Sequence, residues 1–245
     1  MTSLNETILE LTAPSIPYAR PNFPGSQYNL VPITDLNPME VRIPQWPDSD
    51  KAAPMILTIS IGRDQQPSED VATYTLYGPL DFRNFPFKGV IPTQYLALEG
   101  VYQVGYDVKI EGSTQTSLSN QFTIDRTAPN KNLPGESPIF PLSVINDGVT
   151  SQYLQDHNDE VIVEIPVYTD QREGDLISFY FGSFNDGPVL RTTVSDSISR
   201  TPIHLSGETI RNKGNGDQFT YYILDDRADN QGPHSKSKSI VVALS

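Results

Sequence analysis

The chain contains no cysteine, which excludes disulfides, thiolate metal sites and cysteine nucleophiles. It also has no apolar run approaching the roughly 18 residues of a membrane helix. Its start, MTSLNETILELTAP, carries two glutamates and lacks the basic start and apolar core of a secretory signal. We therefore predict no membrane insertion and no signal peptide within this chain.

Catalytic motifs are missing as well. His157, His204 and His234 occupy a polar loop, a strand-like segment and a serine-rich hairpin, respectively. The chain has no Gly-x-Ser-x-Gly, no His-Glu-x-x-His and no phosphate-binding glycine loop. We predict a protein that is not an enzyme and has no catalytic residues. A Ser/His/Asp triad assembled from distant loops stays open, because chain order does not forbid it.

Positive charge is scarce, with 17 Lys and Arg against 30 Asp and Glu and a net charge of −13. Such a surface repels phosphate backbones and anionic lipid, so we expect no nucleic acid among the partners. An acidic surface also keeps proteins soluble and monomeric. We expect a monomer in isolation.

Proline, by contrast, is abundant. The chain has 21 prolines, where an average share of ~5% would give roughly 12. Proline is excluded from helix interiors and is common in turns and edge strands. This composition favours an all-β fold.

Four sequence matches recur in the same order, at offsets of about 115 to 122 residues. Thr-Ala-Pro begins at Thr12 and again at Thr127. After it, VRIPQWPD is matched by VEIPVYTD, LTISIG by ISFYFG, and GVYQVGYDV by GDQFTYYILD. We interpret the chain as two copies of one module, and Thr-Ala-Pro as the joint between modules.

The matched segments have the period of β-strands. Tyr102, Val104, Tyr106, Val108 and Ile110 share one face, while polar residues and a glycine occupy the other. Gly-, Pro-, Asn- and Asp-rich turns separate the strands. We predict two tandem immunoglobulin-like antiparallel β-sandwiches, over residues 1–128 (with 1–11 a leading tail) and 129–245.

The end of each module resembles the closing hairpin of bacterial Ig-like repeats. In GVYQVGYDVKIEGSTQTSLSNQFTIDRTAP, a Gly-x-Tyr strand and a serine-bearing loop lead into Asp-x-Thr-Ala-Pro. YYILDDRADNQGPHSKSKSIVVAL resembles the same hairpin, with Asp229 where that family often has glycine. The resemblance implies tandem domains of large surface or secreted proteins, adhesins included.

From this resemblance we expect an extracellular or cell-surface protein that acts as a rod-like spacer and interaction segment in adhesion. A protein or glycan receptor is the expected kind of partner. Two alternatives stay open: a carbohydrate- or receptor-binding tip, and an accessory domain of a secreted toxin or enzyme. Fold analogy does not decide among them.

An aromatic segment, YTLYGPLDFRNFPFKG, occurs only in the first module, since the matching part of the second, VLRTTVSDSISRTP, has no aromatic residue. A core feature should recur in both copies. The segment is therefore a candidate binding surface, although its phenylalanines also suit the end of a sandwich core. The candidate residues are Tyr74, Tyr77, Phe82, Phe85 and Phe87.

Acidic residues near the module ends form a candidate calcium site, because Ca²⁺ takes six to eight oxygen ligands. The candidates are Asp125, Asp225, Asp226 and Asp229. The opposing interpretation is that aspartates populate turns by accepting hydrogen bonds from nearby backbone amides. The sequence indicates no other cofactor.

Overall fold

The computed structural model describes residues 10–22, 27–184 and 186–244. The chain divides into two compact units, Met1–Arg126 and Thr127–Ser245. The leading tail of the first module lies mostly outside the described residues, which begin at Glu10. Each unit is a β-sandwich whose strand pairs are antiparallel, except that Val149–Thr150 pairs in parallel with Lys238–Ala243 in the second unit. The predicted all-β, Ig-like fold is confirmed.

The first unit contains two sheets. A two-stranded sheet pairs β1 with β4, and the larger sheet has the order β3-β2-β5-β6, with β7 also paired to β5. Three 3-10 turns cover Ile33–Asp35, Phe82–Asn84 and Thr93–Leu96. The strands are β1 (Met39–Ile43), β2 (Pro54–Arg63), β3 (Glu69–Tyr77), β4 (Phe87–Ile91), β5 (Gly100–Ile110), β6 (Ser113–Thr116) and β7 (Asn120–Ile124).

The core of the first unit lies between these sheets. Along β5 the five residues assigned to one face by periodicity are all buried, which confirms the predicted alternation. Tyr102 stacks on Phe122 of β7 with ring centroids 5.1 Å apart. Trp46 is buried in the same core. Aromatic rings of this size dominate the burial energy of a small sandwich.

The second unit has the same plan. Its small sheet pairs β9 with β12, and its large sheet has the order β11-β10-β13-β14-β8. The strands are β8 (Val149–Thr150), β9 (Glu160–Ile165), β10 (Leu176–Gly182), β11 (Leu190–Thr193), β12 (Thr201–Ser206), β13 (Gly216–Asp225) and β14 (Lys238–Ala243). The matched sequence segments occupy equivalent strands: β1 and β9, β2 and β10, β5 and β13.

Within residues 127–184 and 186–244 the second unit also contains three α-helices that the sequence did not predict: α1 (Leu142–Asp147), α2 (Ser151–Asp156) and α3 (Gly207–Lys213). Two of them are capped at the N-terminus, where Thr150 accepts a hydrogen bond from the Tyr153 amide and Ser206 from the Thr209 amide. Helices of six or seven residues are unstable alone, so tertiary packing stabilises them.

No helix in the described ranges is both long and apolar enough to span a membrane.

Candidate functional site

The aromatic segment of the first unit is split between the core and the surface. Phe85 packs edge-on against Trp46, with ring centroids 5.0 Å apart. Tyr74 and Phe87 make a second edge-to-face pair at 5.1 Å. The Tyr74 hydroxyl also accepts a hydrogen bond of 2.9 Å from the Val90 amide. These three aromatic residues pack against the hydrophobic core.

The other two candidates of that segment point outward. Tyr77 is 75% exposed and Phe82 is 73% exposed. Phe82 begins a 3-10 turn that Asp81 caps by accepting a hydrogen bond from the Arg83 amide. The segment therefore offers two solvent-facing rings, not a platform of five.

We expect Phe85→Ala to lower the free energy of unfolding of the first unit by about 2 kcal/mol, because a half-buried ring loses part of the 3–5 kcal/mol of a buried phenylalanine. Phe82→Ala, the matched control at a 73% exposed position, is expected to change it by less than about 0.5 kcal/mol. Urea denaturation measures both values. An unchanged stability for Phe85→Ala would mean that its ring is free to bind a ligand.

The acidic residues near the end of β13 organise a turn. One carboxylate oxygen of Asp226 accepts hydrogen bonds of 2.8 Å from the amides of Ala228 and Asn230, and the other accepts from the Asn230 side chain at 2.8 Å. Asp229 has a φ of 66°, the left-handed conformation in which glycine is favoured. Asp225 accepts a hydrogen bond from Gln231 at 2.9 Å.

Asp125 belongs to the first unit, and its carboxylate accepts a hydrogen bond from the Gln27 side chain. Across the described ranges, no three His, Cys, Asp or Glu side chains are grouped as metal ligands. The calcium site stays a prediction. Thermal melting with and without calcium, after chelation, tests it through the stabilisation that a bound ion confers on the native state.

The three histidines have different neighbours. His157 stacks on Tyr153 with ring centroids 3.9 Å apart. The Nδ1 atom of His204 lies 3.0 Å from a carboxylate oxygen of Glu160. His234 stacks on Tyr221 with ring centroids 5.0 Å apart. The structure brings no two of them together in these contacts.

The equivalent aromatic residues Trp46 and Tyr168 are both buried, as a shared structural role requires. The Tyr168 hydroxyl donates a 2.7 Å hydrogen bond to Asp175 Oδ2, and the Arg172 amide donates to the same oxygen at 3.0 Å. Asp175 is only 1% exposed, and burial raises its pKa to about 6. The other carboxylate oxygen, Asp175 Oδ1, is buried without a hydrogen-bond partner among the described residues.

Sequence reasoning missed an aromatic cluster on the second unit, here named the aromatic column. Tyr180 of β10 stands opposite Tyr221 of β13 in the sheet, and their rings stack at 4.4 Å. Two more rings stack on Tyr221: Phe184, from the loop after β10, and His234, from the loop after β13. Their ring centroids lie 5.1 and 5.0 Å from that of Tyr221, respectively. Phe184 is 56% exposed, and His234 is exposed.

The aromatic column lies on the face of the sheet opposite the core. Neighbouring residues Phe179, Phe181 and Tyr222 point into the core, so Tyr180 and Tyr221 point away from it. The Tyr221 hydroxyl donates to the Phe184 carbonyl at 3.3 Å. Large aromatic residues on the outward face of a sheet are typical of contact surfaces.

The two units define the class of protein: two tandem Ig-like β-sandwiches in one chain. No protein-family model and no curated protein matches the sequence.

Solved structures resemble the chain at low similarity. The FN1–FN3 domains of chicken CNTN1 are 15% identical, with 84% of this chain and 62% of that chain covered and a TM-score of 0.45. The fibronectin(III)-like modules of Clostridium thermocellum CbhA are 9% identical, with 85% and 86% covered and a TM-score of 0.41. A bacterial ice-binding adhesin is 13% identical, with 88% and 60% covered and a TM-score of 0.34.

Proposed function

We propose that this chain is a non-enzymatic tandem Ig-like module of a bacterial surface or secreted protein, acting as a spacer and interaction segment in adhesion. The observation that carries the proposal is that each unit has its own hydrophobic core. One core runs from Leu11 to Ile124 in sequence and the other from Phe140 to Val242. Modules with complete cores can be strung in series, as a spacer requires.

The first residues of the second unit are held in place. Ala128 is buried and extended, with a φ of −62° and a ψ of 157°. Its amide donates a 3.0 Å hydrogen bond to the Asn132 side chain, and the following Pro129 is buried. The second unit therefore begins with an ordered segment, in which proline restricts the preceding residue to extended backbone.

The aromatic column supports the interaction role. Its two exposed rings, Phe184 and His234, stack on the buried Tyr221 and supply contact area with few rotatable bonds, which lowers the entropy lost when a partner binds. The net charge of −13 favours a neutral or basic partner surface over an anionic one.

Dissection of the chain tests the module architecture. We expect residues 1–126 and 127–245, produced separately, each to unfold in one cooperative transition, because each contains a complete core. Small-angle scattering of the whole chain is expected to give the elongated profile of a spacer. A fragment that stays unfolded, or a compact profile of the whole chain, would contradict the proposal.

A binding tip in the aromatic segment is the second candidate function, favoured by the exposure of Tyr77 and Phe82. Substituting both by alanine should abolish receptor or glycan binding while leaving the unfolding transition in place. Binding that survives the double substitution would remove this candidate.

A further inference from the structure

We propose that the first unit binds an uncharged oligosaccharide in a cleft beside the β2–β3 hairpin. This inference rests on the proposed interaction role and gives it a site and a ligand class. The cleft has a volume of about 400 Å³, within the usual range for small-ligand sites. We name it the glutamine cleft, after the residues that line it: Gln65, Gln66, Gln103 and Gln121, with Gly62 and Ser68.

The floor of the glutamine cleft is one row of the large sheet. Gly62 of β2 lies opposite Gln103 of β5, which in turn lies opposite Gln121 of β7. Their neighbours Tyr102 and Phe122 point into the core, so both glutamines point to solvent. Because position 62 has no side chain, the Gln66 carbonyl and Ser68 of the hairpin can lie directly over this end of the row.

The wall of the cleft is the hairpin turn itself. Asp64 and Gln65 have φ values of 49° and 66°, the geometry of a type I′ turn, which the Gln66 amide closes by donating to the Arg63 carbonyl at 2.8 Å. This turn carries Gln65 and Gln66 over the floor. A Cβ at position 62 would lie 3.0 Å from the Gln66 carbonyl oxygen, so a larger residue there would crowd the wall.

Two hydrogen bonds fasten the wall to the floor. The Asp64 amide donates to the Val101 carbonyl at 2.8 Å, and the Val101 amide donates to Asp64 Oδ1 at 3.0 Å. The hairpin is therefore tied to β5 and the cleft is formed in advance. A preformed site loses less conformational entropy when it binds a ligand.

The chemistry of the lining selects the ligand class. Each glutamine amide offers two N–H donors and an acceptor oxygen, a combination that matches hydroxyl groups, which both donate and accept. The side chains of the four lining glutamines make no hydrogen bond to another described residue. The one charged residue in the lining is Asp64, and the chain carries a net charge of −13, so an anionic sugar is disfavoured.

An extended peptide fits this site less well. Peptides that add to a sheet require a free strand edge. The outer edge of β7 is already covered, since the Val31 amide donates to the Thr123 carbonyl at 3.0 Å and the Asn29 side chain donates to the Gln121 carbonyl at 2.9 Å. Recognition must therefore come from side chains.

A second cleft adjoins the first and shares Gly62 and Gln66. It has a volume of about 360 Å³, and its lining includes the half-buried ring of Tyr95 and the exposed side chain of Leu98. Sugar rings present apolar C–H faces as well as hydroxyls. The glutamine cleft offers side-chain amides and the second cleft offers apolar surface. Together they suit a ligand longer than one sugar ring.

The test uses the full chain labelled with ¹⁵N and NMR of the glutamine side-chain amides. The probes are maltohexaose, cellohexaose and mannohexaose at millimolar concentration, with a hexamer of galacturonic acid as the anionic comparison and an unstructured neutral peptide as the peptide comparison. We expect at least one uncharged hexasaccharide to shift the signals of Gln103 and Gln121. We expect the acid and the peptide to leave them unchanged.

The double variant with Gln103→Ala and Gln121→Ala should bind that sugar about tenfold more weakly or worse. The reason is that the loss of each hydrogen bond lowers the affinity by a factor of roughly three to ten. Both positions are exposed, so the melting temperature should not change. The matched control is a double variant in α2, with Gln152→Ala and Gln155→Ala. It should bind the sugar with the affinity of the parent chain.

The inference is overturned if no uncharged sugar shifts the signals, if the acid or the peptide shifts them instead, or if binding depends on Tyr77 and Phe82 and survives the cleft substitutions. None of these results would alter the outcome of the dissection and scattering experiments, so failure of the cleft is distinguishable from failure of the proposed function.

Discussion

Phe122→Ala is expected to destabilise the first unit by about 3–5 kcal/mol, because the ring is fully buried and its removal leaves a cavity. The chain contains one tryptophan, Trp46, which lies in the core of that unit. Its fluorescence therefore follows unfolding of the first unit. We expect the fluorescence transition in urea to shift to a lower midpoint.

The equivalent change in the second unit, Phe179→Ala, removes a ring that is also fully buried. It should cost about the same free energy and shift the circular dichroism transition, while the fluorescence of Trp46 keeps its original midpoint. Leu98→Ala, at a position 58% exposed, is the control and should change stability by less than about 0.5 kcal/mol. If Phe179→Ala moved the Trp46 transition equally, the two cores would unfold as one.

The second large effect concerns the pH dependence of the second unit. Burial, with a smaller contribution from the nearby Asp226 charge, raises the pKa of Asp175 to about 6. An aspartate in an unfolded chain has a pKa of about 3.9. Between these values the native state binds more protons than the unfolded state, so this group's stabilising contribution is complete below about pH 4 and is lost as the pH rises through about 6.

Asp175→Asn cannot ionise and is expected to remove this pH dependence. Its amide oxygen can still accept from the Tyr168 hydroxyl and the Arg172 amide, which both donate to Asp175 Oδ2 in the parent. A difference of about two pKa units corresponds to roughly 3 kcal/mol. We expect the stability of the variant relative to the parent to rise by up to about 3 kcal/mol from pH 4 to pH 7.

Urea denaturation across this pH range, followed by circular dichroism, measures the effect. Tyr168→Phe serves as the companion variant, because it removes a donor that stabilises the carboxylate and so raises the pKa of Asp175 further. The loss of stability with rising pH should then be larger and continue to higher pH. Parallel pH profiles for Asp175→Asn and the parent would show that this carboxylate does not titrate in the window.

The candidate surfaces show what periodicity could and could not predict. The alternation along β5 placed its apolar residues correctly, because neighbouring residues in a strand point to opposite faces. The same alternation put Gln103 on a solvent face. It could not pair Gln103 with Gly62 and Gln121, since register across strands depends on the whole sheet.

The aromatic segment also shows that sequence alone could not decide which side chains are buried. Its absence from the second module suggested a binding role, but sequence alone did not separate Phe85, which packs on Trp46, from the exposed Phe82 three residues earlier. The Tyr180–Tyr221 pair went unnoticed because the two residues lie on different strands.

The sequence by itself determined the class of fold and its duplication, because the period of two, the proline and glycine turns and the repeated segments are all local properties of the chain. Tertiary structure decided which side chains meet. The glutamine cleft and the aromatic column each combine residues from separate strands and loops, while Asp175 is bonded within residues 168–175 but is buried by the packing of the whole unit. Their contacts depend on strand register and on the burial that packing imposes, and neither is encoded in any short stretch.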